Sequence, residues 1–247
     1  MSHHVIEARD VFFAYPGGAE ALRGVSFRIT HGEAVGIIGG NGAGKSTLLL
    51  HLNGYLAPAQ GEVRIGDMPL TRDTVASARR AVGLVFQDPD DQLFMPTVFE
   101  DVAFGPLNMG LPDADVEQRA VAALERVGMV HLRGRPPHKL SAGEKRAVAI
   151  ATVLAMAPDV LVMDEPSSNL DPRARRRLIG LLQGFEHTRI IATHDLELVV
   201  EVCSRVMVMD AGRIVAEGPT VELLNNEELM QAHGLERPHS LRHHHPH

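Results

Sequence analysis

The sequence predicts an α/β fold built on a largely parallel sheet, with a mainly helical insertion in its middle. Three observations carry this. Short runs nearly continuous in apolar residues recur along the chain, longer segments with helical spacing separate them, and no convincing strand falls between about residues 90 and 157. Continuous apolar runs belong to strands covered on both faces, whereas alternation marks a strand with one face in water.

In chain order, Val25, Phe27 and Ile29 alternate with Ser26 and Arg28, which reads as a half-exposed strand. Ala34 to Ile38 is the first covered strand, and an apolar-rich helix, Leu48 to Leu52, follows a glycine-rich turn. Val82 to Phe86 is the second. From about Asp113 a helix carries Val116, Ala120, Val121, Leu124 and Val127 at helical spacing, with Glu117, Gln118, Glu125 and Arg126 outward. Ser141 to Ala157 is helical and rich in Ala and Val, and it stops before Pro158. Val160 to Met163 and Arg189 to Ala192 are further covered strands. Val206 to Met209 and Ile214 to Ala216 flank Asp210-Ala211-Gly212-Arg213 and form a hairpin. His233 to His247 is low in apolar residues and expected to fray. The chain thus reads as one domain, with a core over about 1–89 and 158–232, a helical insertion over about 90–157, and a His-rich flexible tail over about 233–247. It has no internal repeat.

Composition narrows the function. The 247 residues are 45% hydrophobic and carry 24 Lys plus Arg against 31 Asp plus Glu, a net charge of −7. Nucleic acid and anionic lipid are bound by clustered positive charge, so neither is an expected partner. Cys203 is the single cysteine, which excludes an internal disulfide and suits a reducing cytoplasm. The longest nearly apolar stretch, Ala147 to Ala157, falls well short of the ~20 residues that cross a bilayer. Met1-Ser2-His3-His4 lacks the basic and apolar regions of a signal peptide. Any contact with a membrane is therefore expected to go through a partner.

The glycine-rich turn is the strongest local signal. Gly39-Gly40-Asn41-Gly42-Ala43-Gly44-Lys45-Ser46-Thr47 matches G-x-x-x-x-G-K-[ST], with a strand before it and a helix after it. Glycines let consecutive backbone N–H groups and the helix N-terminus point at phosphate oxygens. Lys45 would then reach the β and γ phosphates, and Ser46 would offer its hydroxyl to Mg²⁺. A turn that binds nothing is disfavoured by those flanks.

Two further groups belong to the same sheet edge. Val160 to Met163 ends in Asp164-Glu165, and acids at the carboxyl end of a parallel strand point into the ligand crevice. Asp164 is suited to hold Mg²⁺, and Glu165 to polarise water as a general base. The alternative is an acid pair capping a helix near Pro166. His194 follows Arg189 to Thr193 and could hydrogen-bond a γ phosphate, although a packed or solvated histidine fits its position equally well.

Leu140-Ser141-Ala142-Gly143-Glu144-Lys145-Arg146 opens a helix 23 residues before Asp164. This resembles the signature motif of the ABC ATPases, and the resemblance covers nearly the whole chain. It takes in the phosphate loop, Gln87 after a strand, Asp164-Glu165, Ser167 to Asp171 as a D-loop, and His194 as the switch histidine. Tyr15, in Phe13-Ala14-Tyr15-Pro16, matches the aromatic that stacks on adenine. The resemblance implies a P-loop NTPase of RecA-like core with an antiparallel β subdomain and an inserted α-helical subdomain. ATP and Mg²⁺ are the implied cofactors. It also implies a head-to-tail dimer, with an identical chain or a related one, in which each ATP lies between one chain's Lys45 loop and the other's Ser141 helix. Ser141, Ala142, Gly143, Glu144 and Asp171 would then touch nucleotide across the interface, and Gln87 would contact Mg²⁺ or water. The pattern departs from the commonest one in having Ala142, Glu144 and the D-loop Ser-Ser-Asn-Leu-Asp. Glu144 would weaken phosphate affinity if it pointed inward; its neighbours Lys145 and Arg146 favour an outward side chain.

A narrower resemblance lies in Gln87-Asp88-Pro89-Asp90-Asp91-Gln92-Leu93-Phe94 and in Pro96 to Pro106. It is similar to the ATPase subunits of energy-coupling-factor transporters, especially the cobalt and nickel importers. That implies an ATPase at the cytoplasmic face of the cell membrane, with integral membrane subunits docking near residues 87–106. Leu93, Phe94, Phe99 and Phe104 either pack the insertion onto the core or line the docking groove, and both can hold. A vitamin or other micronutrient is the alternative cargo. A soluble ABC ATPase of DNA repair or translation is disfavoured, because 247 residues hold neither two cassettes nor a long coiled coil. In a P-loop kinase the signature helix would have no purpose. His233, His239, His243, His244, His245 and His247 place six of fourteen histidines in the last fifteen residues, a tract able to bind Ni²⁺, Co²⁺ or Zn²⁺. An idle tail is the alternative.

Overall fold

A computed structural model describes residues 4–242. Strands β1 (His4–Ala14) and β2 (Glu20–Thr30) form a hairpin, and β3 (Ala34–Ile38) leads into helix α1 (Lys45–Leu52). There follow β4 (Gln60–Ile65), β5 (Met68–Pro69), α2 (Val75–Ala81) and β6 (Val82–Val85). Next come α3 (Val98–Asn108), α4 (Asp113–Arg126) and α5 (Ala142–Leu154), with only turns and 3-10 segments between them. The chain returns through β7 (Val160–Asp164), α6 (Pro172–Gln183), β8 (Thr188–Ala192), α7 (Leu196–Val202), β9 (Arg205–Asp210) and β10 (Arg213–Pro219). Short helices α8 (Thr220–Leu224), α9 (Glu227–Ala232) and α10 (His239–Arg242) complete the described residues.

Two sheets result. An antiparallel sheet has the order β2-β1-β4-β5, and a six-stranded sheet the order β10-β9-β3-β8-β7-β6. In the second, β9, β3, β8, β7 and β6 are parallel, and β10 pairs antiparallel at one edge. The covered runs are apolar throughout because successive residues face two different cores. Val160 and Val162 of β7, with Ile190 and Ala192 of β8, pack with α1 and the antiparallel sheet. Leu161, Met163 and Ile191 face the helices on the other side. Between β6 and β7, α3, α4 and α5 bury Val102, Ala120, Leu124 and Val148 against one another.

Sequence pattern did not reveal β1. Ile6 and Ala8 are buried, but a register shift moves the next buried position to Val11, and Asp10 at the break has φ 46°. The alternation is lost across such a bulge. Glu7 also breaks the pattern, being a strand acid only 1% exposed. Arg9 Nη2 donates to it at 2.8 Å, and Arg28 Nε donates to its other oxygen. The Arg9 and Arg28 guanidiniums hold its carboxyl down at about 2. A depressed carboxyl stabilises the fold above its ordinary value and loses that contribution as pH falls. Wild-type protein should therefore lose melting temperature between about pH 4.5 and about 2, and Glu7→Gln should flatten that part of the profile. At neutral pH the variant should melt lower than wild type.

The segment 234–241 is seated on the core, although its composition suggests fraying. Leu241 is buried, Leu235 packs on the same core, and Ser240 N donates to Glu197 Oε1 at 3.2 Å. Two well-spaced leucines are enough to seat it. His243, His244, His245 and His247 lie outside the described residues. Cys203 is buried, and burial pushes its thiol up to about 12, so it is a packing residue.

Candidate nucleotide site

Four neighbouring strands, in the order β3-β8-β7-β6, deliver the sequence-predicted groups to one edge of the sheet. β3 runs into the Gly39–Thr47 loop, β8 into Thr193-His194, β7 into Asp164-Glu165, and β6 into Phe86-Gln87.

The loop is shaped by glycine. Gly39 has φ 157°, and a Cβ there would lie 2.2 Å from Met209 O; Gly44 has φ 102°, and a Cβ would lie 2.5 Å from Ala21 O. Any larger residue would push the loop off β9 and β2. Lys45 opens α1 and is buried, with Nζ donating to Gly39 O at 2.8 Å and Gly40 O at 3.2 Å. The ammonium is thus folded back over the loop. Tyr15 stands edge-on to Phe13, with centroids 5.0 Å apart, and its hydroxyl lies 3.2 Å from Thr47 Oγ1. Its ring is 40% exposed beside the loop.

Asp164 ends β7 and is buried. Burial raises its pKa, opposed by a hydrogen bond with Ser46 and by the Lys45 charge. Its Oδ1 has no hydrogen-bond partner among the described residues. A buried carboxylate oxygen beside a serine hydroxyl suits a hard cation, so Ser46 and Asp164 fit Mg²⁺. Ser46, Gln87 and Asp164 line one cavity of about 590 Å³, with Ala142, Lys145 and Asn169 on its walls.

Glu165 adopts φ 45°, a left-handed conformation that costs a non-glycine residue free energy, with its N–H bonded to Ala192 O at 2.8 Å. The turn aims its buried side chain along the edge of β8. Thr193 Oγ1 donates to Oε2 at 2.9 Å and His194 N–H donates to Oε1 at 3.1 Å. His194 Nδ1 lies 2.8 Å from Oε2, while the imidazole itself is 67% exposed. The acid and the histidine that the sequence placed 29 residues apart are therefore in contact.

The signature segment is built differently from expectation. Ser141 caps α5, and Glu144 points neither inward nor outward but back onto the cap. Ser141 N–H and Oγ each donate to Glu144 Oε2 at 2.8 Å, and Glu144 N–H donates to Ser141 Oγ at 3.3 Å. This is a capping box. Arg146, read from sequence as an outward neighbour, is buried. Ala142 lines the cavity that contains Ser46; Ser141, Gly143 and Glu144 do not. Asp171 caps α6, its Oδ1 accepting from Arg173 N at 2.7 Å and Ala174 N at 2.9 Å. Sequence reasoning missed Thr193, Gln92 and Arg146; only Thr193, one residue before His194, carried a positional signal.

A phosphate-binding loop, a strand-end acid pair and a facing histidine on one sheet edge define a P-loop nucleoside triphosphatase. The profile of the family described as ABC transporter matches residues 22–168. An energy-coupling factor transporter ATP-binding protein, EcfA of Methanocaldococcus jannaschii, is 47% identical over 240 residues, covering 95% of this chain and 86% of that one. The structure of cbiO1 from Clostridium perfringens, part of the ABC transporter complex cbiONQ, superposes with a TM-score of 0.81 at 39% identity, covering 93% and 94% of the two chains. The dimeric post-hydrolysis structure of the ATP-binding cassette MJ0796, bound to ADP and Pi, gives 0.79 at 27% identity, covering 87% and 98%. The chain belongs to the ABC transporter family, as an ATP-binding and ATP-hydrolysing subunit of the energy-coupling-factor type.

Proposed function

We propose that this chain hydrolyses ATP to power import of cobalt or nickel ions through integral membrane partners, from the cytoplasmic face of the membrane. Among the described residues no helix is long and apolar enough to cross a membrane, and this reading gives the ion path to other subunits. The observation that carries the membrane-partner part of this reading is an exposed aromatic pair, while the cargo rests on the resemblance of residues 87–106 to the cobalt and nickel importers. Phe94 is 63% and Phe104 42% exposed, edge to face at 5.0 Å, with half-exposed Leu107 beyond them on α3. Leu93, by contrast, is buried in the core, and Phe99 packs against it. Buried Asp101 fixes the turn, its Oδ1 accepting from Phe94 N and Met95 N at 2.9 Å each. A rigid, water-exposed aromatic patch suits a helix of a membrane partner. Similarity to cbiO1, part of a larger transporter complex, supports the same reading.

In this reading the loop N–H groups and Lys45 hold the β and γ phosphates, and Tyr15 stacks on adenine. Ser46, Asp164 and Gln87 would hold Mg²⁺, which would supply charge neutralisation at the phosphates. Glu165 takes a proton from the attacking water, and His194 turns its exposed imidazole edge to the γ phosphate. Ser141, Ala142 and Gly143 serve the ATP of a second, identical chain arranged head to tail, with Glu144 and Asp171 shaping that interface. Uptake of radiolabelled cobalt and nickel, in cells whose only copy carries Phe94→Ser and Phe104→Ser, tests the proposal. Uptake should fall to background while the purified variant still binds ATP; unchanged uptake of both ions would overturn it.

Glu144 supplies a further expected result. Its carboxylate occupies the donors of Ser141 that a phosphate would need, and those same bonds lower its pKa, keeping it charged. Glutamine also completes a capping box, without the charge. Glu144→Gln should therefore favour ATP-dependent dimerisation by about 1 kcal/mol, roughly fivefold in ATP concentration. Light scattering across an ATP titration measures this.

A further inference from the structure

The segment carrying Gln87 is fastened to α5 at three points. Arg146 is 5% exposed, and its Nη1 donates to Phe86 O at 2.8 Å while Nη2 donates to Gln87 O at 2.6 Å. Gln92 accepts from Phe86 N at 3.1 Å and donates to Ala149 O at 2.8 Å and Thr152 Oγ1 at 2.7 Å. Lys145 closes the outer side with an ion pair to Asp90 at 2.6 Å. Of the three, Arg146 alone grips the carbonyl of Gln87 itself.

The guanidinium is chemically suited to this. Its planar fork presents two N–H donors in a fixed geometry to the two carbonyls, whereas a lysine is a single point charge on a flexible stem. Burial lowers its pKa, and Asp88, Asp164 and Glu165 oppose that shift. The charge therefore stays in place, beside the acids of the site but bonded to backbone. α5 is the helix that begins at Ser141, whereas Gln87 lines the cavity containing Ser46 and Asp164. A rigid link between them makes the position of one depend on the position of the other.

We infer that Arg146 is a positioning residue for hydrolysis, locking the Gln87 backbone to α5 so that Gln87 reaches the Ser46–Asp164 cavity only in register with Ser141. This rests on the role proposed above for Gln87. Arg146 also lines that cavity, but its two terminal N–H groups are spent on the Phe86 and Gln87 carbonyls, so its action is assigned through Gln87.

The test is a double-mutant cycle on the full chain, using Arg146→Lys, Gln87→Ala and the pair. Arg146→Lys keeps the charge and most of the volume but loses the fork. It should lower kcat by ~10- to 100-fold with KM for ATP changed less than about twofold. On a Gln87→Ala background the same change should cost less than about twofold, because the residue it positions is gone. Full additivity of the two effects would overturn the inference, as would a loss shared by KM and melting temperature with kcat intact. Unaltered kcat in Gln87→Ala alone would instead overturn the role given to Gln87, and with it this inference. Should Arg146→Lys fail to fold, Gln92→Met, which loosens the same segment from α5, should show the same kcat loss with an unchanged KM.

Discussion

Glu165→Gln should lower ATP hydrolysis by ~100- to 1,000-fold while leaving ATP binding intact. The substitution changes no volume, and an amide oxygen can still accept from His194 N–H, which lies 3.1 Å from Oε1. Its NH₂ can face His194 Nδ1, now 2.8 Å from Oε2. The turn at Glu165 keeps its N–H bond to Ala192 O; the Thr193 hydroxyl loses its acceptor at Oε2, and the capacity to take a proton from water is removed. Because the γ phosphate persists, ATP should then hold two copies together, giving a stable dimer by size-exclusion chromatography. Substantial hydrolysis by this variant would show that the base lies elsewhere.

Lys45→Ala should weaken ATP binding by at least ~30-fold and abolish turnover with it. Lys45 is the cation buried within the loop, held on Gly39 O and Gly40 O. Removing one partner of a buried, charge-assisted contact costs about 2–5 kcal/mol, which is ~30- to several-thousand-fold in affinity. Arginine should not rescue it, since its fork is too bulky for a loop already closed against β9 and β2. Titration with a fluorescent ATP analogue reads the effect directly, and near-normal affinity would contradict it.

The covered strands were legible because apolar residues on both faces leave an unbroken run, as at Val160 to Met163. The phosphate loop was legible because its chemistry demands a fixed spacing. What pattern missed depends on side chains that break local rules for distant reasons. Glu7 sits buried on a strand because two arginines reach it, and β1 loses its alternation at Asp10. Arg146 looks like a surface residue in sequence, yet its acceptors are carbonyls 59 and 60 positions away. Glu144 could be read as inward or outward, and it chose the nearest donors, those of its own cap. Phe94, Phe99 and Phe104 were ambiguous between packing and docking. The fold divides them, with Phe99 against the core and the other two in water.

In the proposed function this ATPase works as part of a membrane complex. The composition of the complex that the affinity-tagged chain brings out of detergent-solubilised native membranes tests it most directly. Two copies of an ATP-binding chain together with integral membrane proteins, released by Phe94→Ser and Phe104→Ser, is the result predicted. Recovery of the chain as an active ATPase free of any membrane protein would contradict it.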